Sequence, residues 1–172
     1  MNRIKKIFSI FFILSICFSI SFNPFKSEEG VFVGQQAPDF KLKPVGGGDP
    51  ISLSKYRGKP VVIVFWAVWC GPCRKEIPDL KALYEKYSQK GVVFLTVAVG
   101  WRQTEEIISK FQTDNKLPYT ILWDKDNEVS EKYLVRSIPT NFVIDHDGII
   151  RFRDFALTSQ MKDAIDSLVV QK

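Results

Sequence analysis

Cysteine and histidine are scarce in this chain: three cysteines and one histidine among 172 residues. Three cysteines cannot staple a small disulfide scaffold. A tetrahedral zinc site built on Cys70 and Cys73 would need two more Cys or His ligands, and only Cys17 and His146 remain, in unrelated contexts. A c-type haem attachment would want His directly after the second cysteine, where Arg74 stands. Internal repeats and low-complexity tracts are also lacking, which excludes a solenoid or a largely disordered chain. Acidic residues are outnumbered only slightly, 19 against 24 basic ones, for a net charge of +5. Arg3, Lys5 and Lys6 supply three of those charges ahead of the first hydrophobic stretch, which leaves +2 on the rest. The basic excess is therefore a membrane-topology signal, and no nucleic-acid partner is expected. The length suits one domain with a sizeable core plus an appendage.

That appendage is the N terminus. From Ile7 to Phe25 there is no charge, and Phe, Ile, Leu and Ser dominate behind the basic start. This is an export signal, with the folded part delivered across a membrane. Ser19-Ile20-Ser21 offers small residues for cleavage, whereas counting on to Phe25 approaches the lower limit for a spanning helix, about 17 residues. Residues 1–26 are thus a signal peptide or signal anchor, 27–33 a linker and 34–172 the folded domain. Cys17 follows Leu14-Ser15-Ile16, the outline of a lipobox, but that motif wants a small residue where Ile16 stands. A cysteine serving as a small apolar residue is the simpler reading.

Past the linker the pattern alternates strand and helix. Phe40 and Leu42 alternate with charged residues as in a half-buried strand, Gly46 to Pro50 must turn, Ile51 and Leu53 begin a return, and Leu53 to Gly58 reads as a short helical turn. Val61 to Trp66 is almost wholly β-branched or aromatic, as a central strand buried on both faces should be. A helix follows from near Pro72, with Ile77, Leu80, Leu83, Tyr84 and Tyr87 on its apolar side, and Val92 to Val99 repeats the strand signature. Strand, helix, strand implies a right-handed crossover and a parallel pair, with a site at the carboxyl ends of the strands. Thr104 caps a helix with Ile107, Ile108 and Phe111 on one side. Tyr119 to Trp123 is a strand, and Val129, Tyr133 and Leu134 mark a further helix. Thr140 to Ile144 and Ile149 to Phe155 form a hairpin around Asp145 to Gly148, and Thr158 or Ser159 caps a last helix carrying Met161, Ile165, Leu168 and Val169.

The chemistry concentrates at Trp69-Cys70-Gly71-Pro72-Cys73, between the central strand and its helix. Two cysteines three apart at a helix start lie about one turn from each other, so their sulfurs can close a small disulfide ring. At the N-terminal end, unpaired N–H groups and the helix dipole favour a thiolate at Cys70, the expected nucleophile. Cys73, inside the first turn, is expected to be more covered and to act as the resolving thiol. Pro72 fits the first turn, where its missing N–H costs little, and stiffens the Gly71-Pro72 link. Trp69 is expected to wall Cys70 on one side, Trp66 to be core, and Trp101 and Trp123 to pack only. His146 reads as a solvated turn residue. Arg74 and Lys75 either raise the local potential near the thiolate or are plain exposed helix charges.

At these residues the chain resembles the thioredoxin superfamily, and the longer string from Phe65 to Pro78 is similar to its TlpA/ResA-like, membrane-tethered branch. The resemblance implies an α/β thioredoxin-like fold: a central mixed sheet flanked by helices, with an N-terminal β-hairpin and an extra helix-strand insertion near residues 104–123. It implies that Pro139, in Ile138-Pro139-Thr140, is cis and faces the disulfide, leaving the backbone of Ile138 free to pair with an extended substrate. A proline that merely begins an edge strand is the plainer alternative. Trp69, Gly71, Pro72, Ile138 and Pro139 would then form the substrate-binding surface. Thioredoxins proper bury an aspartate six residues before the first cysteine; here that residue is Val64. In the ResA-like branch the glutamate matching Glu76 lies in the site cavity and tunes the thiols, and a solvated helix charge is the alternative.

The implied activity is thiol-disulfide exchange outside the cytoplasm, in the reducing direction, with no cofactor beyond the Cys70-Cys73 disulfide. The implied partners are disulfide-bearing proteins, with apocytochrome c during cytochrome c maturation as a candidate, and a membrane electron donor. A general thioredoxin-like reductase without a cytochrome client is the second reading. The Ala-Pro-Asp-Phe opening at Ala37 also resembles peroxiredoxins, but their peroxidatic cysteine follows a Thr-x-x pattern, and Ala67 occupies that place. Copper-delivery relatives space their cysteines by three residues and add a histidine, so a Cu(I)-binding module is the least supported reading.

Overall fold

A computed structural model describes residues 27–169. The expected export segment and Cys17 lie outside the described residues. Within them, no helix is long and apolar enough to cross a membrane.

The sheet grows outward from β3 (Val61–Trp66), whose six residues are all buried. A strand with no polar side chain on either face is stable only between two layers, and β3 has β4 (Val93–Val99) parallel on one side and β6 (Thr140–Ile144) antiparallel on the other. Beyond β4 come β5 (Thr120–Asp124), parallel to it, and β1 (Lys41–Pro44), antiparallel to β5; β2 (Ile51–Ser52) ends that side. Beyond β6 lies β7 (Ile150–Asp154), so the order is β2-β1-β5-β4-β3-β6-β7. A 3-10 turn, Leu53–Tyr56, follows β2. The helices are α1 (Gly71–Ser88), α2 (Glu105–Asp114), α3 (Glu128–Lys132) and α4 (Ser159–Val169). This is the expected mixed α/β sheet with its N-terminal hairpin, and α2-β5 is the helix-strand pair anticipated between residues 104 and 123.

Phe65, Phe142, Tyr133 and Phe40 form an aromatic cluster on one face, with centroids 5.3–6.0 Å apart. The Tyr133 hydroxyl, buried within it, donates to the Pro38 carbonyl at 2.6 Å and ties the N-terminal segment to α3. Burial drives the Tyr133 phenol far above its ordinary range. Thr104 caps α2 through its hydroxyl, and the Thr158 hydroxyl, rather than Ser159, takes the Met161 N–H at the start of α4.

Two expectations fail on particular residues. Ile107 is exposed: Ile108, one residue on, is the position that faces the sheet, and a 100° step carries its neighbour outward. α3 stops at Lys132, and Leu134 is exposed with φ 49°, the left-handed region, so it terminates the helix instead of packing beneath it.

Candidate active site

β3 ends at Trp66, and the chain then turns sharply, with the Cys70 N–H donating to the Ala67 carbonyl at 3.1 Å. Cys70 becomes the N-cap of α1 in extended backbone, and its Sγ accepts the Cys73 N–H at 3.1 Å. A sulfur holding a helix N-terminal N–H sits where negative charge is favoured by the unpaired amides of the first turn. Pro72 occupies that first turn. Cys70 and Cys73 form a disulfide with Cα atoms 5.3 Å apart. The expected difference in cover does not hold. Cys70 is 4% and Cys73 5% exposed, because loop and opposing strand cover both while the pair is oxidised. What separates the two sulfurs is the capping contact, which only Cys70 makes.

The opposing wall is Ile138-Pro139, joined by a cis peptide bond, with the Ile138 carbonyl oxygen 3.6 Å from Cys70 Sγ. The Thr140 hydroxyl donates to the Ser137 carbonyl and fixes this turn at the start of β6. Trp69, Gly71 and Pro72 lie on the surface beside it, Trp69 being 44% exposed. The Trp69 indole N–H donates to the Trp101 carbonyl at 2.7 Å, and the Arg102 guanidinium stands over its ring at 6.0 Å. Trp101 thus does more than pack: its backbone holds the tryptophan that flanks the disulfide. Gln103, unremarked in the sequence, is nearly buried. Its Oε1 accepts the Val68 N–H at 2.9 Å, and its Nε2 donates to the Val99 carbonyl, bracing the loop that delivers Cys70. No local pattern marks it, since a glutamine two residues after Trp101 looks like an ordinary loop residue.

Behind the disulfide is a cavity of about 20 Å³ lined by Cys73, Glu76, Pro139, Val64, Trp66 and Tyr119, among others. Glu76 is half-buried there, and its Oε1 accepts the Leu157 N–H at 3.1 Å. Burial raises its pKa above the usual carboxyl value, the Leu157 hydrogen bond opposes this, and Asp79 and Asp154 add to the rise. Val64 lines the cavity without any acid group. Trp66 is buried against Phe111, as expected of core, yet it also lines this cavity. Arg74 and Lys75 are exposed on the outer side of α1. His146 lies in the turn after β6, outside this constellation. Among the described residues no cluster of His, Cys, Asp and Glu is arranged to hold a metal.

The arrangement can open and close one disulfide at a helix N-terminus, beside an exposed apolar surface and in front of a carboxyl group. Comparison with known proteins gives the same chemistry. Residues 33–153 match the model of the AhpC/TSA family. The thiol-disulfide oxidoreductase ResA of Bacillus thuringiensis subsp. konkukian (strain 97-27) is 33% identical over 152 residues, 86% of this chain and 86% of that protein. The thioredoxin-like protein YneN of Bacillus subtilis (strain 168) is 37% identical over 126 residues, 73% of each. The crystal structure of a Chlorobium tepidum protein described as a thiol:disulfide interchange protein DsbE superposes with a TM-score of 0.70 at 28% identity, covering 82% of this chain and 97% of that one.

Proposed function

The chain belongs to the AhpC/TSA family and is a thiol-disulfide oxidoreductase of thioredoxin-like fold; from that premise we propose that it reduces protein disulfides outside the cytoplasm, with Cys70 as nucleophile and Cys73 as resolving thiol. The observation that carries the assignment of roles is the capped sulfur: Cys70 Sγ holds the Cys73 N–H at the start of α1, where a thiolate is stabilised before it attacks.

The cycle then follows from the geometry. The Cys70 thiolate attacks one sulfur of a substrate disulfide, forming a mixed disulfide and expelling the other sulfur as a thiolate. The substrate backbone lies against Ile138-Pro139, with Trp69, Gly71 and Pro72 completing the surface. Cys73 gives its proton to Glu76 and attacks Cys70, which releases the second substrate thiol and leaves Cys70-Cys73 oxidised. Two electrons have passed to the substrate, and a dithiol donor at the membrane returns them. As they return, Glu76 hands the proton back to the departing Cys73 sulfur. A carboxyl group raised by burial suits both directions of that transfer.

The reducing direction is supported by location. In an oxidising compartment a further oxidant is redundant, whereas a selective reductant is not. Location itself is inferred from the basic start and the charge-free stretch of residues 7–25, which also make residues 1–26 the signal or anchor, 27–33 the linker and 34–172 the catalytic domain. Resemblance of the motif string to the TlpA/ResA-like branch supports apocytochrome c as client. Similarity to a protein called only thioredoxin-like supports the broader reading of a general reductase.

Two measurements test this. The reduction potential of the pair is expected near the reducing end, about −270 mV, and a value near −120 mV would make the protein an oxidant. Cys73→Ser is expected to accumulate a client covalently bound to Cys70. Mass spectrometry of that adduct separates an apocytochrome from other proteins, and absence of any adduct would overturn the assignment of Cys70.

A further inference from the structure

Asn141 is fully buried on β6, and neither its Oδ1 nor its Nδ2 has a protein hydrogen-bond partner. Its place in the sheet makes this informative. The ladders pair Asn141 with Val64 on β3 and with Asp154 on β7, and Val64 with Thr96 on β4. Directly paired residues share a face, so Asp154, Asn141, Val64 and Thr96 form one row. Val64 and Thr96 line the cavity with Cys73 and Glu76 of α1, which identifies this face as the one beneath the site. Pro139, two residues before Asn141 and just ahead of β6, lines the cavity as well. The Trp66 indole N–H, two residues after Val64, is likewise buried without a protein partner.

Two unpartnered polar side chains on one sheet face, within one strand row of a cavity, call for a common explanation. A buried amide left without a hydrogen bond is costly, and native proteins satisfy nearly all such groups, by ordered water where protein cannot reach. A cavity of about 20 Å³ has room for one water. Glu76 supplies the acceptor. From the same helix Asp79 and from β7 Asp154 repel its charge, Cys73 and the Tyr119 phenol share the cavity, and the Leu157 N–H is the donor already in contact with it.

We propose that Asn141, one strand over from the cavity-lining Val64, is a positioning residue for Glu76: its side-chain N–H, with the Trp66 indole N–H, holds a water at the edge of this cavity and through it stabilises the ionised Glu76 carboxylate that takes the Cys73 proton. The inference rests on the reading of Glu76 as the proton acceptor of Cys73. It gives the two donors one task, offsetting burial and the two aspartates so that the carboxylate remains accessible at the pH of exchange. Donation to the carboxylate favours the charged form, so loss of Asn141 raises the Glu76 midpoint.

The test is side-chain NMR on the reduced full chain. In the wild type, the Asn141 amide resonances are expected to shift through the same midpoint as the Glu76 carboxyl carbon, and the shift is expected to vanish in Glu76→Gln. Asn141→Leu is expected to raise the Glu76 midpoint by about one pH unit, a tenfold change in its acid constant. The Cys73 alkylation profile should move with it, and Asn141→Ser should fall between the two. Asn141 resonances that stay flat through the Glu76 midpoint would overturn the proposal, and that reading needs no variant to fold. An unchanged Glu76 midpoint in a folded Asn141→Leu would overturn it equally. A Cys73 profile that ignores Glu76→Gln would instead sink the proton-acceptor role of Glu76, while the Asn141 resonances still report whether the two side chains are coupled.

Discussion

The Glu76 carboxylate accepts the backbone N–H of Leu157 at 3.1 Å, a bond that joins the second turn of α1 to the chain just past β7, 81 residues on. It holds the carboxyl group against the sheet beside Cys73, where burial outweighs the hydrogen bond and raises the pKa above 4.5. The folded protein thus binds the Glu76 proton more tightly than the unfolded chain does. That contribution to stability is complete below the unfolded value and is lost as pH rises through the folded one. Glutamine has no proton to lose. The stability difference between Glu76→Gln and wild type should therefore move in favour of the variant as pH climbs above about 4.5, read as urea midpoints at a series of pH values. A difference that stays flat with pH would show that Glu76 is solvated.

Closing a loop as short as Cys70-Cys73 removes little chain entropy, about 2 kcal/mol by loop-closure arithmetic. The oxidised form should be the more stable by up to that amount, measured as the difference in denaturation free energy with and without reductant. Stability and potential are linked, so a more stable oxidised form means a better reductant. A more stable reduced form would reverse the proposed direction of electron flow.

Trp69 is exposed yet held by the Trp101 carbonyl, an arrangement that keeps a large apolar surface in place beside the disulfide. Trp69→Ala should lower kcat/KM for a protein disulfide by about tenfold, as loss of one aromatic anchor does. Exchange with a small dithiol should change by less than about twofold. Equal losses on both substrates would mean that Trp69 supports the Cys70 loop instead of contacting substrate.

Asp124, at the end of β5, is buried and accepts the Val129 N–H at 3.2 Å, the Ser130 N–H at 2.7 Å and the Ser130 hydroxyl. Asp124→Ala leaves three buried donors without a partner and should cost about 3 kcal/mol in chemical denaturation. Asp124→Asn keeps one acceptor and should cost about half of that. Neither change touches the disulfide, so specific activity of the folded fraction should hold.

The parts of the site legible in the sequence are those built locally. Cys70 at the helix start, Pro72 in the first turn and Glu76 one turn past Cys73 follow from spacing along a single helix, and β3 is legible because six consecutive apolar residues admit few other fates. Pro139 sits 66 residues beyond Cys73, and only resemblance of its tripeptide to a known family brought the two together. Gln103, Leu157 and Asn141 were not legible. Each acts through a partner far along the chain or on a neighbouring strand, and a single glutamine, leucine backbone or strand asparagine carries no periodicity. Leu134 misled for a related reason: an apolar residue in step with a helix implies burial, but the helix had already ended in a left-handed turn.

The N-terminal segment is fastened to the far end of the sheet. Gly34 N–H donates to the Ile150 carbonyl, Ile150 N–H to the Gln35 carbonyl and Ala37 N–H to the Gly148 carbonyl. These contacts sit at the turn between β6 and β7, where Ile144 pairs with Val61 at the start of β3, while Cys70 follows the opposite end of that strand. The two poles are separated by the length of β3, about 17 Å at 3.3 Å per residue. A pull on the chain upstream of residue 27 is thus borne at the pole remote from the disulfide. A fixed point there orients the molecule like a lamp on its stem, with Trp69, Cys70 and Pro139 directed away from the support.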